Sequence, residues 1–152
     1  MYWANGCTRK IQRANLDGTE IEDFIKDEHA EHGSKIAESI LEDLKYQNIN
    51  HIVYAIKVHS FSVGVNAKTL EAQILSDADK LDAMGAVGVY RTAQYGKEHD
   101  RPISEFISHF HEKLLQLKDL VYTDEVKILA KQRYKFMQLY LDQIERELKC
   151  SC

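Results

Sequence analysis

The sequence holds a single proline, Pro102, in 152 residues. Proline removes a backbone donor and clashes inside a helix, so its scarcity leaves long helical stretches uninterrupted. No run of about 18 apolar residues occurs, which excludes a membrane-spanning helix, and the first residues lack the apolar core of a signal peptide. Positive charge is also in short supply: 20 Lys+Arg against 24 Asp+Glu give a formal net charge of −4. With no Lys/Arg run, a nucleic-acid surface dominated by basic residues is not expected. Cysteine is limited to Cys7, Cys150 and Cys152, an odd and mostly terminal set. Cys150-Ser151-Cys152 has too few residues between its thiols for a usual zinc pair. The simplest setting is a reducing cytoplasm. Internal repeats and low-complexity tracts are absent as well.

What is present fits one modest domain with its own core. Hydrophobic residues make up 44% and charged residues 29%, ordinary for a soluble globular protein. From about Glu28 onward, apolar residues recur at steps of three and four, which predicts an all-α domain of about five helices. Residues 25–152 form that domain. Residues 1–24 are turn-rich and are expected to be a short hairpin or poorly packed. Tyr95 to Asp100, together with Pro102, read as the one long loop, and Ser62 to Asn66 as a shorter one. Ser104 and Thr123 are placed to cap the last two helices. Ile107, Phe110, Leu114 and Leu117 form one apolar stripe. Leu129, Ala130, Arg133, Phe136, Met137, Tyr140, Leu141, Ile144 and Leu148 form a broader one, read as core or interface.

The stretch Asp77-Ala78-Asp79-Lys80-Leu81-Asp82-Ala83 carries the most chemistry. On one continuous helix, Leu75, Ala78, Asp79, Asp82, Ala86 and Val89 align on a single stripe, which puts Asp79 and Asp82 where apolar residues belong. Buried carboxylates must be paired, hydrogen-bonded or bound to metal. Two histidines continue inward faces elsewhere. His59 ends a segment in which Ile49, Ile52, Val53 and Ile56 share a face. His29 opens one with Gly33, Ile36, Ala37, Ile40, Leu41 and Leu44. Imidazole and carboxylate together suit zinc, iron, manganese or nickel better than calcium. The alternatives are hydrogen-bonded core histidines and a structural salt-bridge network.

At these residues the chain resembles a known family. His29-Ala30-Glu31-His32-Gly33, Ala55-Ile56-Lys57-Val58-His59-Ser60-Phe61-Ser62 and the Asp77-to-Ala83 motif, in that order, are similar to the third helix onward of HD-superfamily metal-dependent phosphohydrolases. The likeness covers about residues 26–146, and the fold it implies is a single HD-domain-like helical bundle. Carried over by resemblance, Asp79 corresponds to the last ligand of the principal metal, and His29 and His59 to second-metal ligands. Asp77, Asp82 and His32 fall in the surrounding shell. By the same resemblance Lys80, beside Asp79, contacts phosphate or fixes the aspartate network; the alternative is a surface-directed salt bridge, and Arg91 shares that ambiguity. The family's adjacent His-Asp pair has no counterpart at a helical site, because the only such step is His99-Asp100, in the expected loop after Asp79.

The resemblance therefore implies a divalent transition metal (Mn, Ni, Co, Fe or Zn), held weakly or absent, and a nucleotide or small phosphate ester as substrate. Activity is expected to be weak or nil. The other reading is a non-catalytic helical interaction or dimerisation module, and a homo-oligomer is compatible with either. Neither a nucleic-acid nor a membrane partner is expected. Residues 1–24 resemble one YWTD β-propeller repeat, through Tyr2-Trp3, Ile11-Gln12-Arg13-Ala14 and Asn15-Leu16-Asp17-Gly18. They read as two short strands around Asn5-Gly6 and a turn at Asp17-Gly18. One such repeat cannot bury its own faces, so no receptor function is carried over.

Overall fold

A computed structural model describes residues 2–5, 10–13, 22–23 and 29–150. The chain divides into two compact units, Met1–Leu75 and Ser76–Cys152. Among the described residues there are six α-helices, so the all-α expectation holds. No helix among them is long and apolar enough to cross a membrane. Three short strands precede the helices: β1 (Tyr2–Asn5), β2 (Lys10–Arg13) and β3 (Glu22–Asp23). They pair antiparallel in the order β1-β2-β3, with Tyr2 opposite Arg13 and Asn5 opposite Lys10. Gly6 and the turn expected at Asp17-Gly18 lie outside the described residues, as do Cys7 and Cys152.

In the first unit, α1 (His29–Asp43) packs along α2 (Ile49–Val58). Small residues line the inside of both, namely Ala30, Ser34 and Ala55, with Val58 beside them. They bring the two backbones close, and the Ser34 hydroxyl is satisfied locally by donating to the Glu31 carbonyl at 2.8 Å. Asn48, just before α2, takes the left-handed conformation at φ 62°, which asparagine tolerates better than most residues. A 3-10 turn, Phe61–Val63, follows α2 and closes on Gly64 at φ 67°. α3 (Leu70–Asp82) then starts from Thr69, whose hydroxyl accepts from the Ala72 amide at 3.3 Å. Ile40 and Leu44 are exposed, so the inward face expected for α1 holds only in its first half.

The second unit contains the end of α3, then α4 (Gly85–Glu98), α5 (Ile103–Glu112), a 3-10 turn (Leu114–Asp119) and α6 (Asp124–Cys150). Its core is Met84, Val89, Phe110, Leu114, Leu117, Val121, Ala130, Met137 and Leu141. Fully burying a side chain such as Phe110 or Met137 contributes about 1.5–3 kcal/mol. α5, α6 and the 3-10 turn meet around Phe110, Leu114 and Leu117, as the stripe over Ile107 to Leu117 predicts.

Three expectations are corrected in this unit. α3 and α4 are two helices rather than one: Gly85 sits at φ 78°, after an extended Met84 that starts α4. Tyr95 to Glu98 belong to α4, so the long loop shrinks to the residues around His99 to Pro102. Ser104 lies inside the first turn of α5, whose cap position is Pro102. On α6, Ala130, Met137 and Leu141 are buried as expected, while Leu129, Phe136 and Leu148 are exposed.

Candidate metal-ligand residues and the two faces of the acidic helix

His29 is the first residue of α1 and His59 follows the last residue of α2. α1 and α2 pack so that the two rings meet edge to face, with centroids 5.4 Å apart and planes at 78°. The Nδ1 of His59 is hydrogen-bonded to the Ile56 carbonyl. A carbonyl only accepts, so Nδ1 carries the proton, and in the neutral ring Nε2 keeps the lone pair a metal would need. His32 lies one turn along from His29 and is half-buried. Glu31 bridges the same two helices, 2.9 Å from Lys57 on α2 and 3.4 Å from Lys35 on α1. The hydrogen bond from Lys57, then that from Lys35, holds the Glu31 carboxyl below its usual value.

Asp79 belongs to the second unit, on the last turns of α3. A helix advances about 100° per residue, so residues two apart point about 200° apart. Asp77 and Asp79 therefore occupy opposite faces. Asp77 is 1% exposed and Lys80 5%, whereas Asp79 and Asp82 are exposed. The stripe expected over Leu75, Ala78, Asp79, Asp82, Ala86 and Val89 is thus not an inward face: its α3 residues, Leu75, Ala78, Asp79 and Asp82, are exposed, and of its two α4 residues Ala86 is exposed and Val89 buried. The inner face carries Ala72, Ser76, Asp77 and Lys80.

The buried groups are fully engaged. The Tyr122 amide donates to Asp77 Oδ1 at 2.8 Å. The Thr123 amide and hydroxyl donate to Oδ2 at 2.9 and 2.8 Å. Lys80 Nζ donates to the Ser76 hydroxyl and lies 5.0 Å from the centre of the Tyr122 ring. Burial pushes the Lys80 amine below its usual range, and the charges of Asp77 and Asp79 pull it back. On the outer face, Asp82 pairs with Arg91 of α4. Sequence reasoning missed Ser76 and Tyr122 and read Thr123 only as a helix cap. Tyr122 and Thr123 lie 45 and 46 residues from Asp77, beyond any local pattern, whereas Ser76 sits one helical turn from Lys80.

Among the described residues, no group of three or more His, Cys, Asp or Glu side chains is placed to hold a metal ion. The imidazole pair of the first unit supplies two donors, and a catalytic metal generally takes three protein ligands with one position open. The described side chains of themselves do not fit a complete metal site.

The HD-domain family model matches residues 8–84, from before β2 through the Asp77-to-Ala83 motif. The chain belongs to the HD-domain family. Uncharacterized protein YpgQ of Bacillus subtilis is 36% identical over 110 residues, which is 67% of this chain and 54% of that protein. The chain thus spans about half the length of this curated relative. The crystal structure of YpgQ in complex with ADP superposes with a TM-score of 0.63 at 28% identity, covering 75% of this chain and 63% of that one. An HD-superfamily hydrolase from Bacillus thuringiensis gives 0.62 at 32% identity, covering 78% and 64%. HD-superfamily hydrolases are generally dependent on divalent metals. The family match begins at residue 8 rather than about residue 26, so it runs through much of the segment that resembled a propeller repeat. No comparison supports that propeller resemblance, and it is withdrawn.

Proposed function

We propose that this chain is an HD-type metal-dependent phosphohydrolase acting on a nucleotide or another small phosphate ester, with weak or no activity on its own. The observation that carries the reading is the imidazole pair His29 and His59, with ring centroids 5.4 Å apart, within a chain of the HD family that also carries the outward Asp79. The ADP complex of its relative YpgQ supports a nucleotide as the substrate class. A divalent transition ion such as Mn, Ni, Co, Fe or Zn would supply a water of lowered pKa. The described donors are too few to hold one firmly. The same proposal sets the protein in the cytoplasm, with no nucleic acid or membrane partner.

The test is manganese binding by electron paramagnetic resonance, followed by turnover of ADP and p-nitrophenyl phosphate with manganese, nickel or cobalt. Weak binding and little turnover are expected. Rapid turnover that Asp79→Ala abolishes would remove the weak-activity part of the proposal. Metal binding that His29→Ala and His59→Ala leave unchanged would remove the ligand assignment.

A second reading, a helical dimerisation module, is favoured by one feature. Ile128 and Leu139 lie three turns apart on the outer side of α6 and are 62% and 69% exposed. Sedimentation equilibrium decides it: a dimer that Leu139→Glu dissociates supports it, and a monomer at high concentration excludes it.

A further inference from the structure

The acidic motif of α3 divides its work between two faces, and the inner face grips the start of α6. Asp77 receives two backbone amides and a hydroxyl from Tyr122 and Thr123. Asp124, the next residue, begins α6. Lys80, one turn on from Asp77, is held by Ser76 and lies over the ring of Tyr122. Tyr122 is therefore engaged at two points along one side of α3, by Asp77 and by Lys80, and Thr123 is held by Asp77. Apolar contacts alone tolerate small rotations of a helix. Hydrogen bonds from fixed amides to both oxygens of one carboxylate do not, because they weaken steeply as their angles bend.

We propose that Asp77 and Lys80 are positioning residues, clamping Tyr122 and Thr123 at the start of α6 and so fixing the rotation of α3 that presents Asp79 outward. The magnitude makes this matter. Side chains reach about 5–6 Å from a helix axis, so a rotation of about 20° carries an outward carboxylate about 2 Å. Misplacement by about 1 Å is enough to cost on the order of 100-fold in a catalytic site. The assignment of Asp79 as the group being positioned rests on the phosphohydrolase reading. The clamp itself does not, and its test involves neither metal nor turnover.

Amide hydrogen exchange on the full chain is the measurement, under conditions where circular dichroism shows every variant folded. Asp77→Asn keeps the shape but turns an amide group toward donors. Thr123→Val removes one of the three bonds, and Thr123→Ser restores it. Asp77→Asn and Thr123→Val should each speed exchange at residues 78–83 and 122–127 by tenfold or more. Amides of α5 should stay within twofold of wild type, and Thr123→Ser should match wild type. The double variant should exceed Asp77→Asn by less than twofold, because both changes break one unit. Unchanged exchange at residues 78–83 would overturn the proposal, as would equal acceleration throughout the second unit, which marks general destabilisation. Should Asp77→Asn fail to fold, Thr123→Val and its serine rescue decide the question alone.

Discussion

At the scale of single residues, the second unit depends on a few groups that tolerate no change. The carboxylate of Asp77 is buried and accepts three hydrogen bonds. Asp77→Ala would leave the Tyr122 and Thr123 amides without their acceptor. A buried donor stripped of a charged partner costs more than the bond itself contributed, so a loss of about 2–4 kcal/mol is expected in urea unfolding. Gly88 is constrained from another direction. A Cβ there would sit 2.2 Å from the Ala83 carbonyl oxygen, which is backbone and has little room to yield. Gly88→Ala should therefore destabilise by about 2–4 kcal/mol despite alanine's better helix propensity. A gain in melting temperature would contradict this contact.

Among elements, α3 shows where sequence reading succeeds and where it stops. Its existence follows from periodicity, but its end does not: the stripe runs on through Ala86 and Val89, whereas α3 stops at Asp82 and Gly85 at φ 78° opens a new helix. Its inward face does not follow, because the sequence puts leucine and isoleucine on one side and Ser76, Asp77 and Lys80 on the other. The polar side is the buried one, since its partners come from the start of α6, more than forty residues away. The His29–His59 pair was legible as two inward-facing imidazoles, but their approach needed the packing of α1 on α2. α6 brings its own pH dependence. Lys127 donates to Asp124 at 2.9 Å and holds that carboxyl below its usual 3.8. The folded value lies below the unfolded one, so the contribution is complete above the unfolded value and lost as pH falls through the folded value. Melting temperature followed through acid should show wild type and Asp124→Asn converging only below about pH 4. The effect will be small, because both side chains are exposed to solvent.

For the whole molecule, composition and periodicity were enough to reach an all-α chain and, by resemblance, the HD family. The start of the family match was not legible. Residues 8–25 carry no His-Asp step, and the eye follows the YWTD-like spacing instead. Far-UV circular dichroism should show a predominantly helical spectrum with double minima near 208 and 222 nm. A mainly β spectrum would contradict the six helices. A chain that spans 54% of its curated relative also makes an inexpensive comparison possible. YpgQ and this chain, assayed side by side with manganese, should differ in metal retention before they differ in helicity.

The seclusion of Lys80 has a practical corollary in covalent labelling. Among the described residues it is the one buried lysine, while Lys35, Lys57 and Lys97 stand in solvent. An acylating reagent should modify those three at least tenfold faster than Lys80, as read by mass spectrometry of the digested protein. Its acylation then becomes a clock for how often α3 and the start of α6 part, one that runs in dilute protein and needs no substrate.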